Sequence, residues 1–174
     1  MSQTQLLLVI DMLKGFLKPA YPLYCGDDAR KIIPCILKRL SEHQGTPIFY
    51  ICDSHAPDDR EFKMFPPHCI AGTEEAEVIE EFKPYPGIII PKTSFSAFYQ
   101  TDLEERLKKM NPALVTVVGV CTDICVLYTV ADLRTRDYTV EVPASCVASF
   151  DPQGHAWALR HMEKVLGARI IQDS

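Results

Sequence analysis

Ala113-Leu114-Val115-Thr116-Val117-Val118-Gly119-Val120-Cys121-Thr122-Asp123-Ile124-Cys125-Val126 is the stretch on which the fold turns. Its apolar run, 113–118, closes at Gly119, and a longer amphipathic segment starts near Thr122. An apolar run of that length, closed by glycine and followed by helical periodicity, predicts a buried strand feeding a helix. Cys125 then falls in the first helical turn, where free N–H groups and the helix dipole favour negative charge. A thiol there is expected to have a depressed pKa and to be partly thiolate near neutrality. Two roles fit it at this point: an activated nucleophile or a buried packing cysteine.

The same alternation extends along the whole chain. Apolar, β-branched runs at 5–10, 47–52, 87–90, 113–118, 139–142 and 168–171 predict six strands. Helices are predicted over 27–42, 73–82, 102–110 and 122–135, and a last one opens at Asp151-Pro152 as N-cap and first helical residue. The stretch 54–72, rich in Pro, Asp and His without a steady period, predicts an ordered loop. Strands alternating with helices imply an α/β fold, a three-layer α/β/α sandwich of Rossmann-like kind around a mostly parallel six-stranded sheet. No repeat or linker interrupts it, so residues 1–174 are expected to form a single domain.

Composition narrows the function classes. With 174 residues and 47% hydrophobic content, the chain can bury a sizeable core. A net charge of −5 and a pI near 5.5 disfavour a nucleic-acid-binding surface. Met1-Ser2-Gln3-Thr4-Gln5 lacks the basic start of a signal peptide, and no apolar run reaches membrane-spanning length. Seven cysteines, an odd number without a CxxC pair, are expected to be reduced thiols in a cytoplasmic protein.

Open parallel sheets bind ligands beyond the carboxyl ends of their strands. There the sequence places Asp11, then Asp53 and His55, then Lys92, then Cys121 and Cys125. Asp11, Lys92 and Cys125 form a coherent catalytic set. A carboxylate can take the thiol proton and return it to a leaving amine, and a lysine beside both favours their ionised forms. Backbone N–H groups of Cys121 and Cys125, at the turn into a helix, could form an oxyanion hole. Taken singly, Asp11 is equally a turn residue and Lys92 a surface ion-pair partner.

Asp53, His55 and His68 form a second set. Residues two apart in an extended chain share a side, and His68 in Phe65-Pro66-Pro67-His68-Cys69 can complete a two-His-one-carboxylate face. That face suits one divalent transition metal, Zn²⁺ first, with Fe²⁺ and Mn²⁺ also accepted. A non-haem iron oxygenase uses the same set. A parallel sheet with cysteine at a helix start argues against it.

Together these residues resemble the isochorismatase-like cysteine hydrolase superfamily, and its nicotinamidase branch most. The resemblance rests on Leu8-Val9-Ile10-Asp11 with Phe16, Asp53-Ser54-His55, and Phe65-Pro66-Pro67-His68-Cys69 with Gly72-Thr73. Lys92 with Ser96-Ala97-Phe98, and Gly119 to Val126, complete it. It implies Asp11, Lys92 and Cys125 as catalytic triad, Asp53, His55 and His68 as metal ligands, and a cis peptide before Cys121. It also implies hydrolysis of nicotinamide to nicotinate through a thioester, with the substrate ring between Phe16 and Phe65, and a homo-oligomer, dimer or tetramer. Another small carbamoyl or ureido amide, or a non-catalytic role in small-molecule binding, is the alternative. Departures from the family pattern lie at Met12-Leu13-Lys14-Gly15, at Phe65 where tryptophan is frequent, and at Cys121 where alanine is.

Overall fold

The computed structural model describes residues 4–43 and 45–172; the first three residues of the N-terminal stretch discussed above lie outside them. Strand β1 (Gln5–Ile10) is buried from Leu6 onward on both faces. Its Leu-Leu-Leu-Val-Ile run suits a strand covered on both sides. On one side it pairs in parallel with β2 (Ile48–Asp53), which pairs with β3 (Ile88–Lys92). On the other it pairs with β4 (Leu114–Val120), followed by β5 (Val140–Pro143) and β7 (Arg169–Ile171). The order is β3-β2-β1-β4-β5-β7, all parallel, with a two-residue strand β6 (Val147–Ala148) beside the end of β4. The expected mostly parallel α/β sheet is therefore present, with β6 added as a seventh strand. β6 is too short to carry a recognisable periodicity.

Alternation along β1 divides the core into two layers. Leu7 and Val9 pack with α2 (Asp27–Arg30) and α3 (Ile33–Glu42), while α1 (Lys14–Leu17) closes that layer at the strand ends. Leu6, Leu8 and Ile10 pack with α4 (Leu103–Met110), α5 (Leu127–Thr135) and α6 (Pro152–Lys164). The last helix starts as expected: the Asp151 carboxylate accepts from the Gln153 N–H at 3.0 Å, and Pro152 occupies the first helical position.

Three expectations are corrected. The helix expected over 27–42 is two helices, α2 and α3, separated at Lys31 and Ile32. Pro34 lies in the first turn of α3, where its missing N–H costs nothing, and it cannot continue a helix arriving from upstream. The helix expected over 73–82 is two single 3₁₀ turns, Glu74–Ala76 and Glu80–Phe82. Between them the chain is extended, because Val78 bridges Leu13 and the Ile79 N–H bonds Met12 O at 3.1 Å. The thiols, finally, are not all reduced. α3 packs on the 144–146 turn, bringing the Cα atoms of Cys35 and Cys146 to 5.4 Å, and the two are disulfide-bonded. Among the described residues no helix is long and apolar enough to cross a membrane.

Gly119 governs how β1 and β4 meet. Its φ is +118°, and a Cβ there would lie 2.0 Å from Ile10 O. Glycine alone lets the strands pair at Ile10, one residue before Asp11.

Candidate active site

The carboxyl ends of β1, β2, β3 and β4 lie side by side, and the register aligns their polar residues. Asp53 is paired with Lys92, and Ile10 pairs with both Ile51 and Gly119. Asp11 leaves β1 at φ +50°, its N–H bonded to Ile51 O at 2.9 Å. One carboxylate oxygen of Asp11 accepts from the Asp53 N–H at 3.0 Å, and the other lies 2.9 Å from Lys92 Nζ. Lys92 also pairs closely with Asp53 and reaches Cys125 Sγ at 3.4 Å. All four side chains are buried. Asp11, Lys92 and Cys125, expected together from strand position alone, are thus assembled around one ammonium group.

Burial and charge set their protonation. Burial, with the Asp53 charge adding to it, raises the Asp11 carboxyl to about 6, Lys92 opposing. Burial would raise Asp53 too, but Lys92 and the imidazoles hold it well below the carboxylate range. Burial alone would lower Lys92; its two carboxylate partners outweigh that and keep it firmly charged. The expected thiolate is corrected: burial pushes the Cys125 thiol well above its ordinary value, with Lys92 only partly offsetting it. The reason is local. Cys125 sits in a π-helical turn, Thr122–Val126, packed into the core, where desolvation outweighs the benefit of a helix start. The sulfur rests protonated, and a base must take its proton.

The cis peptide implied by the resemblance is present at Val120–Cys121. The Cys121 carbonyl accepts from the Ile124 and Val126 N–H groups at 3.1 and 3.2 Å, anchoring the turn that carries Cys125. Thr122 Oγ shares a 2.8 Å hydrogen bond with His155 Nδ1 of α6, which fixes the other side of this turn.

The second set also assembles. The loop 54–72 is tied down by His55, whose N–H bonds Cys69 O at 3.0 Å and whose carbonyl accepts from Ala71 N–H at 2.9 Å. This pairing sets the His55 and His68 rings 4.7 Å apart. Asp53 Oδ2 lies 3.5 Å from His55 Nε2 and 3.8 Å from His68 Nε2. Glu61 joins them at 3.6 Å from His68 Nε2, so that Asp53, His55, Glu61 and His68 offer donor atoms all within 4.8 Å of one another. Glu61 is a residue that sequence reasoning missed. Its signal was a carboxylate in the His-bearing loop, placed by Asp59, which caps the 3₁₀ turn Arg60–Lys63 through the Glu61 N–H.

These donors fit a divalent transition metal. His55 Nε2 is buried with no hydrogen-bond partner, while its Nδ1 is held by Asp59 at 3.0 Å. His68 Nδ1 is likewise held, by Pro66 O at 2.8 Å. Both rings thus present the opposite nitrogen to the carboxylates, the orientation that metal-binding histidines need. Without a cation, burial would lower His55, yet Asp53 and Asp59 raise it to about 9. Positive charge is favoured at this spot.

Between the two sets opens a cleft lined by Asp11, Asp53, His68 and Cys125. Phe16 and Phe65 both line it, and their rings lie 5.6 and 6.4 Å from the His68 ring. Phe95, Phe150, Leu23 and Cys25 line it too, none of them anticipated. Lys14, one of the departures from the family pattern, faces away into a cage of Glu74, Glu77 and Glu80 at 3.2, 2.6 and 2.9 Å.

Comparison with known proteins finds the same fold elsewhere. The family model described as the isochorismatase domain matches residues 5–172. The crystal structure of nicotinamidase PncA from Bacillus subtilis superposes with a TM-score of 0.90 at 34% identity, covering 96% of this chain and 98% of that one. N-carbamoylsarcosine amidase from Thermoplasma acidophilum gives 0.87 at 31% identity, covering 97% and 96%. Pyrazinamidase of Pyrococcus horikoshii, solved in complex with zinc, gives 0.84 at 27% identity, covering 97% and 99%.

Proposed function

The chain belongs to the isochorismatase family, and from that premise we propose that it is an amide hydrolase that converts nicotinamide to nicotinate and ammonia. One observation carries the reading: a buried lysine within reach of a thiol and two carboxylates that line an aromatic cleft. The similarity to a nicotinamidase supports the substrate.

In this reading the nicotinamide ring enters between Phe16 and Phe65. Asp11 takes the Cys125 proton as sulfur attacks the carboxamide carbon. Lys92 keeps Asp11 ionised beforehand and offsets the charge appearing on sulfur. The oxyanion is received by the Cys121 and Cys125 N–H groups, each such donor typically contributing about 3–4 kcal/mol. Asp11 then hands its proton to departing ammonia, and water activated by Asp11 cleaves the thioester. Asp53, His55, His68 and Glu61 would hold a divalent metal, whose chemistry is that of a Lewis acid able to grip a pyridine nitrogen. Zinc is the first ion to test, in view of the zinc-bound relative; iron and manganese accept the same donors.

Ammonia release over a panel of small amides tests the substrate, with Cys125→Ala as control. Turnover of nicotinamide by Cys125→Ala near the unmutated rate would rule out the thioester route. Preference for a carbamoyl or ureido amide over nicotinamide would favour the second reading, to which the likeness to N-carbamoylsarcosine amidase lends weight.

A further inference from the structure

Two thiols that take no part in this chemistry face each other in the wall of the cleft. Cys25 Sγ lies 3.5 Å from Cys121 Sγ, and the residues are only 2% and 8% exposed. They arrive from distant parts of the chain. Cys25 ends the loop after α1, its N–H bonded to Phe16 O at 2.9 Å, and Cys121 follows β4. Both border the cleft that holds Cys125, so three cysteines share its lining. Cys25 Sγ also reaches the Leu23 carbonyl at 3.6 Å; Cys52 and Cys69 have comparable contacts, to the carbonyls of Tyr50 and Glu75 at 3.6 Å, but neither lines the cleft.

We propose that Cys25 and Cys121 are a reversible oxidation site, closed to a disulfide by a hydroperoxide and lowering turnover when closed. The lowered turnover rests on the amide-hydrolysis reading; the closure itself does not. One sulfur attacks the terminal peroxide oxygen, breaking the O–O bond and leaving a sulfenic acid and an alcohol, or water from hydrogen peroxide. The second sulfur attacks the sulfenic sulfur, forming S–S and breaking S–O, and the hydroxide leaves as water. Two thiols and one hydroperoxide give one disulfide, one alcohol and one water; two electrons pass from sulfur to peroxide oxygen.

The geometry links this chemistry to the reaction. A disulfide spans ~2.05 Å, so the sulfurs must close by about 1.5 Å. One of them belongs to the residue whose N–H is assigned to the oxyanion. Misplacing one such donor typically costs about 10²–10³ in turnover, so a loss of at least ~10-fold is expected.

The full-length protein, exposed to a small excess of hydrogen peroxide and quenched, is digested without reductant and mapped by mass spectrometry, with ammonia release measured in parallel. Expected are a linked Cys25–Cys121 peptide and a loss of turnover that dithiothreitol reverses. Cys25→Ser, scaled to its own untreated rate, should show no linked peptide and a clearly smaller recoverable loss, since only sulfenic acids remain for dithiothreitol to reverse. Cys35→Ser should show both, which separates this site from the existing Cys35–Cys146 bridge. No linked peptide in the unmutated protein, at doses that oxidise Cys125, overturns the site. A linked peptide with unchanged turnover overturns its control of the reaction. Absence of any amide turnover before oxidation would instead count against the amide reading, while the peptide map still decides the oxidation site.

Discussion

Gly119→Ala is the sharpest probe of how the sheet holds this site together. The added Cβ would sit 2.0 Å from Ile10 O and 2.8 Å from Ile10 C, both backbone atoms of the paired strand. Neither can swing aside, so β1 and β4 must separate at the residue before Asp11. Overpacking of this kind costs about 1–3 kcal/mol, and a residue held at an unfavourable φ costs about 1–3 kcal/mol more. The sum, roughly 2–6 kcal/mol, corresponds to a fall in melting temperature of roughly 4–24 °C for a domain of this length. Gly72→Ala separates the two costs, since φ there is +80° but nothing lies within 4 Å of the added carbon. Thermal unfolding by circular dichroism should place Gly119→Ala well below Gly72→Ala. Amide turnover at 20–25 °C should fall with it, because Asp11 moves with Ile10. Equal melting temperatures for the two variants would refute the idea that the strand contact, rather than backbone conformation alone, requires glycine.

Other perturbations give distinct outcomes. Lys92→Met leaves Asp11 and Asp53 buried without their shared cation, and urea unfolding should show a loss of about 3–5 kcal/mol; a change below about 1 kcal/mol would contradict that. Asp59→Ala removes the hydrogen-bond partner of His55 Nδ1, and calorimetric titration should show zinc binding weakened about 10–100-fold, an unchanged affinity counting against a metal role for His55. Burial lowers His155 from its ordinary 6.5, Asp123 opposing, so the unfolded chain binds a proton that the folded one resists and stability falls as pH drops below about 6.5. The melting temperature of His155→Gln should therefore fall less between pH 7.5 and 5.5 than that of the unmutated protein, and parallel curves would clear His155 of this effect.

The parts of the fold legible in the sequence were those written in periodicity. The runs 5–10 and 113–118 are legible because strands covered on both faces need mostly apolar sequence. Asp11, Lys92 and Cys125 were found through the same signal, as polar residues at strand ends. What escaped depended on contacts between distant segments. Glu61 joins Asp53, His55 and His68 only because the His55–Cys69 pairing folds the loop back on itself. The extended stretch around Val78 exists because Leu13 and Met12 offer it backbone partners. The Cys35–Cys146 bond spans 111 residues, and no local pattern marks it. The protonation of Cys125 escapes the sequence for a related reason: a helix start is visible there, but the burial that opposes it is not.

Lys92, finally, serves two neighbours at once. The same ammonium group is counter-ion to Asp11, beside the thiol, and to Asp53, beside the imidazoles. Charge added on one side is therefore felt on the other, through a single buried atom. In thermodynamic terms the two halves of the cleft are linked, and linkage is reciprocal: whatever factor a cation at Asp53 contributes to ionising the sulfur, an ionised sulfur returns to the affinity for that cation. Ionisation of the sulfur and binding of a cation at Asp53 would then be two readings of one coupling.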